Sequence, residues 1–292
     1  MSVISFLVQK TFQRGDDRRD AGLATPEDIR RFDDICYGTD RRWQMLDVYR
    51  PAKEEGKRLP VIVSVHGGGW VYGDKERYQY YCMSLAQQGF AVVNFTYRLA
   101  PKHKFPAPLA DTNLVIRWIL RHAGEYLLDT GNIFGVGDSA GAQILGLYSC
   151  ICTNPSYAAR FAFRPPEGFT FRAVALNCGA YRIETKGEKL TAALMKDYLP
   201  KRGTKEELEA VTVLSHVTEA FPPALVMTSY GDFLKEQAPP LTDLLQEKGV
   251  PCESVFYGDA ENPLGHVFHC NIRLPEAQAC NEEECRFFRR NM

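Results

Sequence analysis

Gly137-Asp138-Ser139-Ala140-Gly141 sets a serine between two glycines, where an apolar run (residues 132–136) meets a stretch that reads as a helix (142–148). A G-x-S-x-G at such a junction holds the serine on a tight strand-to-helix turn with its hydroxyl exposed. The free amides and dipole of the helix N-terminus favour negative charge developing there. A serine hydroxyl needs a base to become a nucleophile, and the base needs a carboxylate to orient it. Downstream, Asp232 follows an apolar run at 222–229, and His266 follows another at 252–257. Ser139, Asp232 and His266 thus come in the chain order Ser, Asp, His, each just beyond a strand. His269 competes with His266 as the base. His266 is preferred, because it follows Gly265 and precedes apolar residues able to pin its loop. Asp259 and Glu261 share the histidine loop and rank below Asp232, and His216 reads as structural. An oxyanion needs preorganised N–H donors. Gly67-Gly68-Gly69 offers amides free of side chains directly after a strand, and Ala140 offers another.

The elements that must position these groups follow from the hydrophobic pattern. Residues 59–66, 90–95, 132–136, 171–178, 222–229 and 252–257 are apolar and rich in β-branched residues, as expected of strands buried on both faces. Residues 31–38 and 44–51 read as a half-buried hairpin. Helices are expected near 77–88, 109–126, 236–248 and 274–289. Strands alternating with helices predict an open, mostly parallel α/β sheet covered on both faces. Three prolines between 101 and 108 predict a fixed loop. Residues 1–30 and 181–215 contain no strand-like run. They are expected to form a cap over a single domain spanning 1–292, with Leu190, Leu194, Met195, Tyr198 and Leu199 as its apolar contacts.

The chain has 292 residues, 45% of them hydrophobic, and a net charge of −1. That balance gives no electrostatic footprint for nucleic acid. No run of about 18 apolar residues predicts a membrane span, and the opening residues lack the basic start of a secretory signal. Nine cysteines without a repeated framework suit free thiols in a reducing cytoplasm. His266, His269, Cys270, Cys280 and Cys285 would be the donors of a zinc site, but Cys280 and Cys285 lie on one expected helix and point to different faces, so no metal is expected. Asn94-Phe95-Thr96 matches a glycosylation acceptor but falls in an expected buried strand.

His66-Gly67-Gly68-Gly69-Trp70, Tyr97-Arg98-Leu99-Ala100-Pro101, Phe105-Pro106-Ala107-Pro108 and the Ser139 pentapeptide together resemble the hormone-sensitive-lipase-like carboxylesterases. The likeness extends over about residues 35–270 and includes Leu46–Pro51 and Asp232-Phe233-Leu234. It implies an α/β-hydrolase fold with a mostly parallel eight-stranded sheet, a small helical cap and no cofactor. It implies Ser139, Asp232 and His266 as the catalytic triad, and Gly68, Gly69 and Ala140 as the oxyanion donors. That group often shows His-Gly-Phe where this chain has His266-Val267-Phe268-His269, which keeps His269 open as the alternative base. The expected substrate is a small-molecule carboxylic ester with a short acyl group, because the cap has no long apolar run to hold a lipid chain. An amidase or formamidase, and a non-catalytic receptor on the same fold, are the rival readings. An exposed last strand would let two chains pair as a homodimer.

Overall fold

The computed structural model describes all 292 residues, Met1–Met292. The strands are β1 (Ile29–Cys36), β2 (Met45–Pro51), β3 (Leu59–Val65), β4 (Ala91–Phe95), β5 (Leu128–Asp138), β6 (Val174–Asn177), β7 (Ala224–Ser229) and β8 (Cys252–Tyr257). The helices are α1 (Val3–Asp20), α2 (Lys75–Gln87), α3 (Ala107–His122), α4 (Ala140–Thr153), α5 (Pro155–Ala158), α6 (Lys189–Tyr198), α7 (Lys205–Ala210), α8 (Ala238–Glu247) and α9 (Pro275–Arg290).

One eight-stranded sheet runs β1-β2-β4-β3-β5-β6-β7-β8. β2 is antiparallel to both β1 and β4. From β4 onward every pairing is parallel. Alternating side chains of the central strands enter separate cores. Val61, Val63 and Val65 join a layer with α3, α4 and α8, whereas Ile62 joins α2 and α9 on the other face. Burial on both faces explains why these strands read as unbroken apolar runs. Parallel pairing also brings the C-terminal ends of β3, β5, β7 and β8 to one edge, where ligand and catalytic groups collect in open α/β sheets.

Three local expectations need correction. β5 begins at Leu128, because Leu128 and Asp129 pair with Leu59 and Pro60 before a register shift takes up the following polar residues. The regular part of β6 is only Val174–Asn177; Cys178, at φ 46°, ends it. The loop read through Pro108 stops earlier, because α3 starts at Ala107 with Pro108 in its first turn, where a missing amide costs no helical hydrogen bond.

α1 and α6 form the roof. Ser2 caps α1 by accepting from the Ser5 amide at 3.1 Å. Only Ser5 of α1 is buried, so tertiary bonds must hold the helix. Gln9 donates to the Val71 carbonyl at 2.5 Å, Tyr72 donates to Asp16 at 2.9 Å, and Arg19 donates to the Arg77 carbonyl. Lys104 anchors α6 by donating to the Asp197 and Leu199 carbonyls, each at 3.0 Å. Within α6, Met195 and Tyr198 face the core and are fully buried, as is Leu199 just beyond.

Candidate active site

The turn at Ser139 exists because its flanks carry no side chains. A Cβ on Gly141 would lie 2.0 Å from the Val65 carbonyl oxygen, and one on Gly137 2.7 Å from the Gly141 oxygen. Those contacts allow α4 to start directly against β3 and β5. Ser139 itself has φ 53° and ψ −119°, an unfavourable backbone for a non-glycine residue. The turn is fixed by its amide, which donates to the Asn177 carbonyl of β6 at 2.9 Å.

Ser139, His266 and Asp232 are brought together. His266 Nε2 lies 3.0 Å from Ser139 Oγ, and His266 Nδ1 lies 2.6 Å from Asp232 Oδ1. Asp232 is fully buried at the end of β7. Its Oδ2 accepts from Thr228 Oγ1 at 2.8 Å, and its Oδ1 accepts from the Leu234 amide at 2.9 Å. Burial alone would raise its pKa, but the hydrogen bonds and charge of His266, with the Leu234 and Thr228 bonds, hold the carboxyl below its usual range. An anionic Asp232 makes Nδ1 the protonated nitrogen and leaves the Nε2 lone pair facing the serine. Phe233 covers the imidazole, with ring centroids 4.3 Å apart.

His269 is elsewhere. Val267 takes a left-handed conformation (φ 52°) and a short 3₁₀ turn follows, which carries His269 beneath the site into full burial beside Tyr81. Burial pushes its pKa down to about 3, so it is neutral and has no contact with Ser139. Asp259 and Glu261 are exposed. His216 stacks on Tyr157 at 3.8 Å, away from the serine. The zinc donors named from sequence do not converge. Cys280 packs with Phe268, Cys285 packs with the α2 core, and both nitrogens of His266 face other partners.

The glycine loop after β3 faces the serine. Gly68 and Gly69 have φ of 115° and 59°, conformations open to glycine at little cost. Tyr78 Oη accepts from the Gly67 amide at 3.0 Å and donates to Asp138 at 2.7 Å. That bridge couples the loop to the elbow. The Gly68 and Gly69 amides donate to no acceptor in the protein, and the Ala140 amide is one of the unpaired donors of the first turn of α4. His66 is buried and stacked on Tyr97 at 4.0 Å, and burial depresses its pKa to about 4. It therefore supports the loop as a neutral ring. Trp70 stacks on Tyr198 of α6 at 5.2 Å and donates to Gln143 at 3.0 Å, while Gln143 donates to the Val211 carbonyl at 2.7 Å. Loop, elbow helix and roof are thereby joined. Sequence reasoning passed over Tyr78, Gln143, Asp16 and Arg19, because each is a common residue in a helix with no motif around it. Asp138 lay inside the motif but had no role assigned.

A cavity of about 320 Å³ opens between Ser139 and the roof, bordered by Gly69, Trp70, Ala140, Ile183, Leu190 and Leu194. Of the apolar roof residues expected from sequence, Leu190 and Leu194 border it, and Met195, Tyr198 and Leu199 pack the core.

The chain matches the BD-FAE family over residues 46–236. It is 33% identical to Esterase LipC of Mycobacterium tuberculosis over 135 residues, which is 46% of this chain and 32% of that protein. It is 28% identical to Carboxylesterase NlhH of the same species over 208 residues, 67% of this chain and 63% of that one. It therefore spans less than two thirds of either relative. Esterase B of Lactobacillus rhamnosis has a similar structure, with a TM-score of 0.88 at 25% identity over 99% of this chain and 97% of that one. With this motif set on an α/β-hydrolase sheet, the chain belongs to the BD-FAE family and to the hormone-sensitive-lipase-like esterase group that its motifs resemble.

Proposed function

We propose that this protein hydrolyses short-chain carboxylic esters through an acyl-enzyme formed on Ser139. The observation that carries the reading is the continuous line from Ser139 Oγ through His266 to buried Asp232, at 3.0 and 2.6 Å. Ser139 attacks the carbonyl carbon while His266 Nε2 takes its proton. Asp232 holds the imidazole and stabilises its cationic form. The Gly68, Gly69 and Ala140 amides receive the negative charge of the tetrahedral intermediate. Its collapse breaks the ester bond, and His266 returns the proton to the departing alcohol. Water, deprotonated by the same imidazole, then releases the acid and restores Ser139.

The cavity beneath Leu190 and Leu194 supports acyl groups from acetyl to about hexanoyl. A longer chain would leave methylenes in water, and each contributes roughly 0.8 kcal/mol only when buried. No metal or other cofactor takes part in these steps. We further read residues 1–292 as one hydrolase domain; the cap expected from 1–30 and 181–215 loses Ile29 and Arg30, which pair with Pro51 and Arg50 in the sheet. All nine cysteines are free, which supports a reducing, cytoplasmic setting, and no helix is long and apolar enough to cross a membrane. The edge position of β8 supports pairing of two chains, which sedimentation would detect. The deciding assay compares wild type with Ser139→Ala on p-nitrophenyl butyrate. Equal rates overturn the proposal. A kcat/KM series from acetyl to palmitoyl should fall at the long end, and a rise there would overturn the acyl limit.

A further inference from the structure

Two cavities of about 320 Å³ each meet at Ser139, and their assignment to the two halves of an ester rests on the hydrolytic reading. Phe12 of α1 and Phe233 border both cavities and divide them. The reaction itself tells them apart. The imidazole that accepted the serine proton must deliver it to the departing oxygen, so the alcohol lies on the side of His266. His266 borders only the second cavity, between α1 and the elbow, whereas Gly69 and Ala140 border the first. We infer that the second cavity is the leaving-alcohol subsite, and that Asp16, Arg19 and Asp138 make it select uncharged alcohols carrying a second hydroxyl group.

The polar walls of this cavity set its preference. Asp138 borders it and is only 2% exposed. Its Oδ2 accepts from Tyr78, and no group of the protein donates to its Oδ1. Across the cavity, Asp16 pairs with Arg19 at 2.9 Å and accepts from Tyr72. Arg19 commits Nε and Nη2 to Asp20 and to the Arg77 carbonyl, and one Nη1 hydrogen to Asp16. Of the five guanidinium hydrogens, one on Nη1 is left. The subsite thus presents a carboxylate acceptor on one wall and a charged donor on the other. A second hydroxyl on the alcohol can satisfy both. A purely apolar alcohol would displace water and leave them unpaired, which is costly above all for the buried Asp138. An anionic alcohol would face Asp16 and Asp138, with Arg19 already neutralised by its own carboxylate partners.

Acyl transfer to added alcohols tests this without relying on a variant. p-Nitrophenyl butyrate acylates Ser139 and releases p-nitrophenolate. An acceptor alcohol ROH then gives up its proton to His266 and attacks the acyl carbon, forming the butyrate ester of R and freeing Ser139. The ratio of new ester to butyric acid reports occupancy of the alcohol subsite, whatever the rate of acylation. At equal concentration, 1,2-propanediol should capture the acyl group roughly tenfold better than 1-propanol, and lactate should capture it less well than 1-propanol. In Asp16→Ala and in Arg19→Met the diol preference should shrink. Equal capture of diol and 1-propanol, or a preference unchanged in both variants, overturns the inference while leaving ester hydrolysis intact. Absence of p-nitrophenolate release would instead defeat the hydrolytic reading, and this inference with it.

Discussion

His266 and His269 sit three residues apart in the same loop, yet one faces Ser139 and the other is sealed below it. His266→Ala should lower kcat by about 10⁶-fold, leaving only the oxyanion amides and binding. His269→Ala should lower the melting temperature by removing a packed ring beside Tyr81, with kcat of the folded protein nearly unchanged. Steady-state kinetics on both variants checks the pair, and the reverse pattern would reassign the base. Tyr78→Phe removes the hydroxyl that accepts from Gly67 and donates to Asp138. It should lower kcat by roughly tenfold at constant KM, because the loop is loosened only where transition-state charge develops. Ser139, Asp232 and the glycine loop were legible in the sequence because their order and their places after strands are constraints of the chemistry. The choice of His266 rested on a glycine before it. The turn that decides the matter is a left-handed Val267, a conformation no local sequence signal announces.

Among the elements, the parallel strands were legible because burial on both faces writes an uninterrupted apolar run. The start of β5 was not, since Asp129, Thr130, Gly131 and Asn132 carry turn chemistry; only Leu128 and Asp129 pair with β3 there, and Thr130, Gly131 and Asn132 fall in the register shift before Ile133. α1 reads weakly because so little of it is buried, and its position depends on distant partners such as Val71 and Tyr72. The elbow helix α4 has no such freedom. Gly141→Ala would drive a Cβ into the Val65 carbonyl at 2.0 Å, a backbone atom that cannot swing aside. Loss of several kcal/mol of stability is expected, as for strained substitution at a closely packed backbone. Thermal unfolding of that variant, with Gly124→Ala as a control where a Cβ meets nothing within 4 Å, measures the difference.

At the scale of the molecule, four buried groups link stability to pH. His66 and His269 have pKa values near 4 and 3 in the fold, so below about 6.5 the unfolded chain takes up protons that the native state refuses. Stability therefore falls on acidification, by up to about 1.4 kcal/mol per pH unit for each ring. Burial raises Asp138 to about 6 and Glu284 to about 7. Those acids stay protonated in the fold where the unfolded chain has released the proton, so they cost stability as pH rises from about 4.5 towards those values. The two pairs oppose each other, and wild-type stability should be nearly flat between pH 4.5 and 6. Glu284→Gln removes one raised acid, while its amide can still face Asn177 and Tyr81. That variant should lose stability on acidification relative to wild type, read as the urea midpoint from pH 6 to pH 5.

The strand order has a consequence for how the chain is made. From β3 outward the sheet grows in the order of the sequence, β5, β6, β7 and then β8, each strand docking on the edge left by the one before. Since a domain generally folds as a unit during synthesis, the sheet is incomplete on its parallel side until β8 has been made. His266, the last group of the proposed triad, follows only after β8. Ser139 is thus translated well before His266, the base of the proposed triad. α1, the first helix made, must wait for the His266 loop before its Arg19 and Ala21 carbonyls can receive Arg273. Nascent chains halted after β7 should fail to react with a serine-directed phosphonate, and synthesis of the remaining segment should restore labelling. On the proposed mechanism, hydrolytic competence is in that sense a late event of translation, timed by topology.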